Sequence, residues 1–268
     1  MGLSNGGFVF FMDEVTVSII TPSFNQGRYI EETILSVLDQ KGDFKLEYLV
    51  IDGGSTDQTI DILKKYDNRL NWFSGPDQGQ TDAVNKGFAK ASGDILGWLN
   101  SDDLYEEGSL AKVVESYKDQ KFQWCFGNCR NIDEGGREIR KPVTTYKNFE
   151  SRHYSRQRLL TKDFIPQPAV FISRKAFEET GLLNLAYDYA MDYDYWLRLA
   201  SRYRPLYINR YLAKFRWHQT SKSQNHYRKA ALEAYRIARG HARPGDELYL
   251  FRHFMHVLTL SMVYSFLS

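Results

Sequence analysis

The sequence predicts an α/β fold with a mostly parallel central sheet flanked by helices and a C-terminal helical extension. Through the first hundred residues, short β-rich apolar runs alternate with amphipathic helical segments. This alternation is typical of βαβ units, which build parallel sheets. The chain has 268 residues, 43% of them hydrophobic and 25% charged, which suffices for one large folded domain with a small appendage.

The first four strands alternate with three helices. The strand at 15–21 precedes a helix whose apolar residues recur on one face from Ile30 to Leu38. A Gly-Gly-Ser turn ends the second strand, and either Thr56 or Asp57 is suited to cap the helix that follows. The remaining predictions for this half are strands at 46–51, 70–73 and 94–99 and a helix at 81–91.

The alternation weakens after Asp103. Residues 130–165 are polar, basic and without a clear period, so no regular element is predicted there. A boundary near residue 220 separates a main domain, residues 1–220, from a helical extension, residues 221–268. The elements predicted in this half are helices at 108–118, 188–203, 226–240 and 245–267 and strands at 122–128, 169–173 and 214–217.

The net charge of +2 hides a strong asymmetry. Residues 1–110 carry 8 Lys or Arg and 18 Asp or Glu, whereas residues 198–268 carry 13 Lys or Arg and 3 Asp or Glu. One interpretation is attraction between the two ends of the chain together with solvated helix faces. The other is a basic segment that meets anionic lipid or phosphate.

The cysteines and the apolar runs bear on location. Cys125 and Cys129 do not form a disulfide framework or a zinc site, which favours a reducing cytoplasm. No apolar run is long enough to span a bilayer, and the segment 8–12 lacks the features of a signal peptide. The helix at 246–267 has an apolar stripe, and three roles stay open for it: peripheral contact with the inner face of the membrane, packing on the domain, or formation of a homodimer.

Small, polar and acidic residues follow each of the first four strands. Ligands of open α/β sheets bind at the carboxyl ends of the strands, so these groups should line one crevice. The groups are Thr21-Pro22-Ser23-Phe24-Asn25, Asp52-Gly53-Gly54-Ser55-Thr56-Asp57, Gly75-Pro76-Asp77 and Asn100-Ser101-Asp102-Asp103.

The group after the fourth strand indicates a metal site. Mn²⁺ and Mg²⁺ prefer carboxylate oxygen and leave positions open for phosphate. One or two carboxylates at a strand end can therefore hold such an ion against a diphosphate, where it neutralises charge on a leaving group. The alternative is that Asp102 and Asp103 only cap the next helix.

The sequence resembles family 2 of the inverting glycosyltransferases, whose members have the A-type nucleotide-sugar transferase fold. The matching stretches keep the family's order and spacing between residues 17 and 199. They read VSIITPSFNQGRYIEETILSVLDQ, YLVIDGGSTDQTIDILKKY, GPDQGQTDAVNKGFAKASGDILGWLNSDD and MDYDYWLRLA.

The resemblance implies a nucleoside site at the first two strand ends. Many members have a second Asp directly after the second strand, and it touches the base. This chain has Gly53 there, which leaves the choice of nucleotide open. Asp82 either takes over the base contact or is a first-turn helix carboxylate favoured by the helix dipole. The nucleoside residues implied by the resemblance are Thr21, Pro22, Ser23, Asn25 and Asp52.

The resemblance also implies the diphosphate and metal contacts. Asn100 stands where the family commonly has the first Asp of its metal motif, and its amide can still bond a ribose hydroxyl. Ser101 and Asp102 complete the donor contacts. Asp102 and Asp103 are the expected ligands of Mn²⁺ or Mg²⁺, His218 is a candidate third ligand, and Arg216 or Lys222 is a candidate phosphate contact.

An inverting transfer needs one base that takes the proton from the acceptor hydroxyl. The resemblance assigns this role to Asp192, with Asp194 as the alternative. Both are also explained as exposed carboxylates in the first turn of a helix.

The expected activity is transfer of a hexosyl or N-acetylhexosaminyl unit from a nucleotide-diphosphate sugar to a hydroxyl of a glycan or lipid-linked acceptor. Polysaccharide synthesis is the expected context, and no nucleic-acid partner is expected. Two alternatives stay open. One is a catalytically inactive nucleotide- or glycan-binding scaffold of the same fold. The other, a sugar-phosphate nucleotidyltransferase, would have a Gly-rich loop with Arg and Lys after the first strand, and residues 22–27 do not provide it.

Overall fold

The computed structural model describes residues 14–218 and 227–267, with side chains described for residues 14–218 and 228–259. It contains nine strands and ten α-helices within those ranges. The strands are β1 Thr16–Ser23, β2 Lys45–Asp52, β3 Asn71–Ser74, β4 Ile95–Trp98, β5 Leu104–Tyr105, β6 Trp124–Ile132, β7 Glu138–Ile139, β8 Val170–Ser173 and β9 Leu206–Arg216. The helices are α1 Ile30–Leu38, α2 Thr59–Lys65, α3 Gln80–Lys90, α4 Ser109–Gln120, α5 Lys141–Arg152, α6 Arg156–Thr161, α7 Arg174–Thr180, α8 Met191–Arg202, α9 Tyr227–His241 and α10 Glu247–Leu267.

All described strands belong to one sheet with the order β3-β2-β1-β4-β8-β6-β9-β5, and β7 pairs with β6. The β3-β2-β1-β4 half is parallel, as predicted. In the other half, β8 runs antiparallel to both β4 and β6, while β9 is parallel to β6. The register pairs Ser23 with Asp52 and Asp52 with Ser74, so the polar ends of the first three strands lie side by side.

The helices cover both faces of the sheet and bury two apolar clusters. Helix α3 lies close to β1 because Gly87 has no side chain. A Cβ atom there would lie 2.3 Å from Cγ2 of Ile20. This close approach fixes the N-terminal turn of α3 near the polar strand ends.

The prediction for residues 130–165 is wrong, since this region contains the end of β6, β7, α5 and α6. Helix α5 buries Thr144, Glu150 and Ser151, so it has no apolar period to find. Strand β9 is also longer than predicted. It pairs with β6 through an irregular register near Asn128, which breaks the alternation that marks a strand.

The C-terminal helices pack on the main body. Ile237 and Ala238 of α9 belong to the apolar cluster that contains α8. The guanidinium of Arg156 donates to the carboxylate of Asp246 at 2.9 Å and to the carbonyl of His241 at 2.6 Å. None of the helices within the described ranges is both long and apolar enough to cross a bilayer.

Candidate active site

The loops after β1 and β2 are bound to each other. The backbone N–H of Asn25 donates to Oγ of Ser55 at 2.7 Å, and the N–H of Thr56 donates to Oδ1 of Asn25 at 2.9 Å. Asn25 has a φ of 52°, a left-handed conformation that Asn tolerates better than most residues. Asn25, a predicted nucleoside contact, therefore links the two loops at the carboxyl ends of β1 and β2.

Asp52 is buried and organises the loop that follows it. Its Oδ2 accepts hydrogen bonds from the N–H of Gly54 at 3.0 Å, the N–H of Ser55 at 2.9 Å and Oγ of Ser74 at 2.7 Å. These bonds hold the loop in place for any ligand above it.

Three predicted nucleoside residues lie at the end of β1. Thr21 is buried, and its hydroxyl lies 3.1 Å from the hydroxyl of Tyr48. Pro22 is buried beside it. Ser23 is 5% exposed, and its hydroxyl has no hydrogen-bond partner among the described residues. An unpaired buried hydroxyl is costly, so the Ser23 hydroxyl is a candidate contact for a ligand.

The space left by the missing side chain of Gly53 is filled by Asp77. A Cβ atom at residue 53 would lie 2.7 Å from Oδ2 of Asp77. The other oxygen, Oδ1, accepts the N–H of Gly79 at 2.8 Å. Asp82, the predicted substitute, is engaged elsewhere, and its hydrogen bond with Lys86 holds its pKa below the usual range. The sequence contains Asp77 in the same crevice group, but only the fold brings it against Gly53.

The side-chain amide of Asn100 forms hydrogen bonds to several elements around the strand ends. Its Oδ1 accepts from Nε2 of Gln80 at 2.7 Å and from the indole N–H of Trp98 at 2.8 Å. Its Nδ2 donates to Oε1 of Gln167 at 3.1 Å and more weakly to Asp103. Asn100 therefore links α3 to the segment before β8.

The two neighbouring carboxylates have different surroundings. Asp103 is fully buried, and its Oδ1 accepts the backbone N–H of Arg216 at 2.9 Å. Burial, reinforced by the charge of Asp102, raises the pKa of Asp103 well above its usual value. The side chain of Asp102 is 19% exposed, and its Oδ2 lies 2.8 Å from Nε2 of His218. Ser101 is buried, and its carbonyl accepts the hydroxyl of Thr33 at 2.9 Å.

Arg216 fixes the segment that carries His218. Its buried guanidinium donates to the carbonyls of Asp102, Asp133 and Glu134 and to the carboxylate of Glu32. These bonds commit the side chain to the protein interior, so the expectation of a phosphate contact from Arg216 is wrong. Lys222, the other candidate, lies outside the described residues.

The donor set at Asp102 and His218 fits a divalent cation bound mainly by its substrate. The described residues contain no group of three or more His, Cys, Asp or Glu side chains arranged to hold a metal. One carboxylate and one imidazole leave most positions to phosphate oxygen and water, which is how Mg²⁺ and Mn²⁺ bind at diphosphates.

Asp192, at the start of α8, forms a second pair of interacting carboxyl groups with Asp163. Asp192 is half-buried, and its Oδ1 accepts the N–H of Tyr193 at 2.8 Å. Burial raises its pKa. The pKa of Asp163 is raised as well, by burial and then by the charge of Asp192. Two carboxyl groups with raised pKa values that influence each other titrate as a pair. Sequence reasoning missed Asp163, which lies in the region predicted to be irregular.

Asp194 serves as an anchor for α9. It is 4% exposed, with Oδ2 accepting Nε of Arg198 at 2.9 Å and Oδ1 lying 2.8 Å from Nε2 of His241. Burial acts to raise the pKa of Asp194, but the hydrogen bond and charge of His241 and the charge of Arg198 outweigh it, so the pKa is lowered. A carboxylate that is paired on both oxygens has little affinity for a proton.

Glu233 of α9 holds the backbone that enters α8. Its carboxylate accepts three N–H groups, from Asp188 at 3.2 Å, Tyr189 at 2.7 Å and Ala190 at 2.7 Å. Ala190 is the N-cap residue of α8, and Asp188 and Tyr189 precede it, so Glu233 fixes the backbone that leads into the helix. No sequence signal marks Glu233, because it lies 43 to 45 residues away from the loop residues that it binds.

Comparisons with known proteins show the family to which the chain belongs. The model of the glycosyl transferase family 2 matches residues 18–181. An uncharacterized glycosyltransferase of Mycobacterium tuberculosis (strain ATCC 25618 / H37Rv) is 33% identical over 205 residues, which are 75% of this chain and 74% of the relative. A Bacillus subtilis (strain 168) protein, proposed by its name to be the teichuronic acid biosynthesis glycosyltransferase TuaG, is 31% identical over 220 residues, covering 80% of this chain and 84% of the relative.

Solved structures show the same fold. The crystal structure of S. aureus TarS 1-349 in complex with UDP-GlcNAc superposes with a TM-score of 0.70 at 18% identity, covering 90% of this chain and 73% of TarS 1-349. The mannosyltransferase PcManGT from Pyrobaculum calidifontis, in complex with GDP-Man and Mn²⁺, gives a TM-score of 0.66 at 17% identity, covering 94% of this chain and 76% of PcManGT. The fold is thus the predicted A-type fold, and the chain belongs to glycosyl transferase family 2.

Proposed function

We propose that the protein is an inverting glycosyltransferase that moves a hexosyl or N-acetylhexosaminyl unit from a nucleotide-diphosphate sugar to an acceptor hydroxyl. The observation that carries the proposal is the pair formed by the partly exposed Asp102 and the buried His218, beside the hydrogen-bonded loops that follow β1 and β2. Asp102 and His218 would hold Mn²⁺ or Mg²⁺, which when bound stabilises charge on the departing diphosphate. The likeness to TarS with UDP-GlcNAc and to PcManGT with GDP-Man and Mn²⁺ supports this donor class and cofactor.

Asp192 is the proposed base. Its raised pKa keeps it a competent proton acceptor near neutral pH, whereas the ion pairs of Asp194 remove proton affinity. The acceptor oxygen loses its proton to Asp192 as it bonds to the anomeric carbon, and the bond from that carbon to the diphosphate oxygen breaks. One displacement of this kind inverts the anomeric centre.

Asp77 is the proposed contact to the nucleobase. Its Oδ2 lies where many family members have the side chain of a second Asp, and Oδ1 is fixed by Gly79. A carboxylate in this position accepts an N–H from a base, as the ring N–H of uracil, thymine or guanine allows.

The acceptor is proposed to be a growing polysaccharide or a lipid-linked glycan of the cell envelope. The similarity to TuaG, whose name places it in teichuronic acid biosynthesis, supports this context. The two buried cysteines form no disulfide, which is consistent with an enzyme that takes its sugar donor from the cytoplasm.

The test is calorimetric binding of UDP, GDP and dTDP, each with and without Mn²⁺. One nucleotide should bind more tightly with Mn²⁺, and Asp102→Asn should remove that gain. The matched control is Asp61→Asn, which removes a surface carboxylate on α2. If the folded protein bound none of the nucleotides, the inactive-scaffold hypothesis would replace this one.

The anomeric configuration of the product then separates inversion from retention. NMR of the early product should show the configuration opposite to that of the donor. A retained configuration would reject Asp192 as the base of a single displacement.

A further inference from the structure

Helix α10 is apolar on two faces. One face is buried against the domain, where Nδ1 of His253 lies 2.8 Å from the carbonyl of Leu160 and Val257 is 5% exposed. The opposite face carries the exposed Glu247 in its first turn, yet it is formed mainly by large apolar side chains that are open to solvent. They are Leu248 at 56% exposure, Phe251 at 60%, Phe254 at 41%, Met255 at 44% and Leu258 at 37%. A contiguous apolar surface of this kind marks a docking site; we call it the α10 face.

The exposed charged side chains of α9 and α10 are basic apart from Glu247. Arg252 is exposed between Phe251 and Met255 and forms no ion pair with the described residues. The outward side of α9 exposes Lys229, Arg236 and Arg239. Residues 198–268 as a whole carry 13 basic and 3 acidic side chains. A partner for this face must therefore be both apolar and anionic.

We propose that the α10 face docks in the interface of an anionic lipid bilayer, with α10 lying in the membrane plane. Helices bind this way when apolar side chains enter the headgroup boundary and basic side chains meet lipid phosphate. The acidic half of the chain, 18 acidic against 8 basic side chains in residues 1–110, would be repelled by the same surface. The charge asymmetry thus turns the α10 face towards the membrane.

A second copy of the chain is a weaker match for the same face. A twofold interface through α10 would bring two strongly basic segments together, and like charges in contact oppose association. An anionic bilayer satisfies both the apolar and the basic part of the surface.

Docking would orient the candidate active site. Glu233 and His241 of α9 bind the start of α8, which carries Asp192. The α10 face and the candidate base therefore belong to one rigid unit. That a membrane-borne acceptor reaches Asp192 rests on the proposed function, whereas lipid binding itself does not.

The experiment is co-sedimentation of the full chain with vesicles of phosphatidylcholine alone and of phosphatidylcholine mixed with phosphatidylglycerol. Binding should require the anionic lipid and weaken as salt is added. The double variant Leu248→Glu/Phe251→Glu should lower the partition coefficient by about tenfold or more, because two apolar anchors become charged. The control is Leu35→Glu, which replaces one exposed leucine of α1, in the acidic half of the chain, by the same residue type.

Both substituted positions are more than half exposed, so the fold should survive, which circular dichroism and nucleotide binding would check. Failure of the wild-type chain to bind anionic vesicles would overturn the proposal, as would equal binding by the double variant. A dimer in sedimentation velocity that the double variant dissociates, without vesicle binding, would assign the α10 face to a second copy. Each of these failures leaves nucleotide binding, and thus the proposed function, intact.

Discussion

Asp194→Asn should destabilise the protein without removing the catalytic base. Asp194 is 4% exposed and contacts both Arg198 and His241, so the substitution leaves two donors around a neutral amide. Breaking a buried ion pair from one side costs about 3 kcal/mol in the free energy of unfolding. For a chain of this size that corresponds to a fall in Tm of about 6–12 °C.

Asp192→Asn should behave in the opposite way. Burial raises the pKa of Asp192, so its charged form is disfavoured in the folded state and a neutral amide should leave Tm unchanged or slightly higher. Transfer should be lost, because the amide does not accept a proton.

The assay is differential scanning calorimetry at pH 7 with a sugar-transfer assay on the same samples. Asp188→Asn is the control, since it removes an exposed carboxylate three residues before α8. The pKa of Asp194 is lowered in the folded state, so its stabilisation is present at neutral pH. The difference in Tm from wild type should therefore shrink as the pH falls below about 4. The assignment of Asp192 as the base and Asp194 as an anchor would be refuted by two results together. Asp194→Asn would lose transfer with an unchanged Tm, and Asp192→Asn would retain transfer.

Three further predictions address the rest of the site. The log of kcat/KM should rise with pH and level off only above the usual range of a carboxyl group, because Asp192 must be ionised, burial raises its pKa, and it titrates together with Asp163; a profile without this limb in wild type would argue against Asp192. Gly53→Asp should weaken nucleotide binding by roughly tenfold, as its Cβ would lie 2.7 Å from Oδ2 of Asp77, and Gly53→Asp/Asp77→Gly should restore it. Calorimetry of nucleotide binding by the single and the double variant would test this, and unweakened binding by Gly53→Asp would contradict it. Glu233→Gln should lower kcat more than nucleotide affinity, because it loosens the backbone before Asp192; equal losses in both would indicate a general folding defect.

The parallel half of the fold was accessible from sequence because its signals are local. Strands β1, β2 and β4 are short apolar runs, and the helices between them have clear apolar faces. The segment with α5 and α6 was not accessible, since α5 buries polar side chains that pair with partners elsewhere, as Glu150 does with Arg158 and Lys162. Periodicity reports burial of apolar residues and does not detect such a helix.

The sequence by itself determined three things, because they depend on local order along the chain. They are the residue types at the strand ends, the resemblance to a family and the two candidate bases. The tertiary structure separated residues that the sequence treats as equivalent. It leaves Asp102 partly exposed beside His218 and buries Asp103, and it pairs Asp194 with His241 while leaving Asp192 without an ion pair among the described residues. It also brings Asp77 against Gly53 and Glu233 against the start of α8. Hydration and charge partners decide the protonation of a carboxylate, and those partners come from distant parts of the chain that only folding brings together.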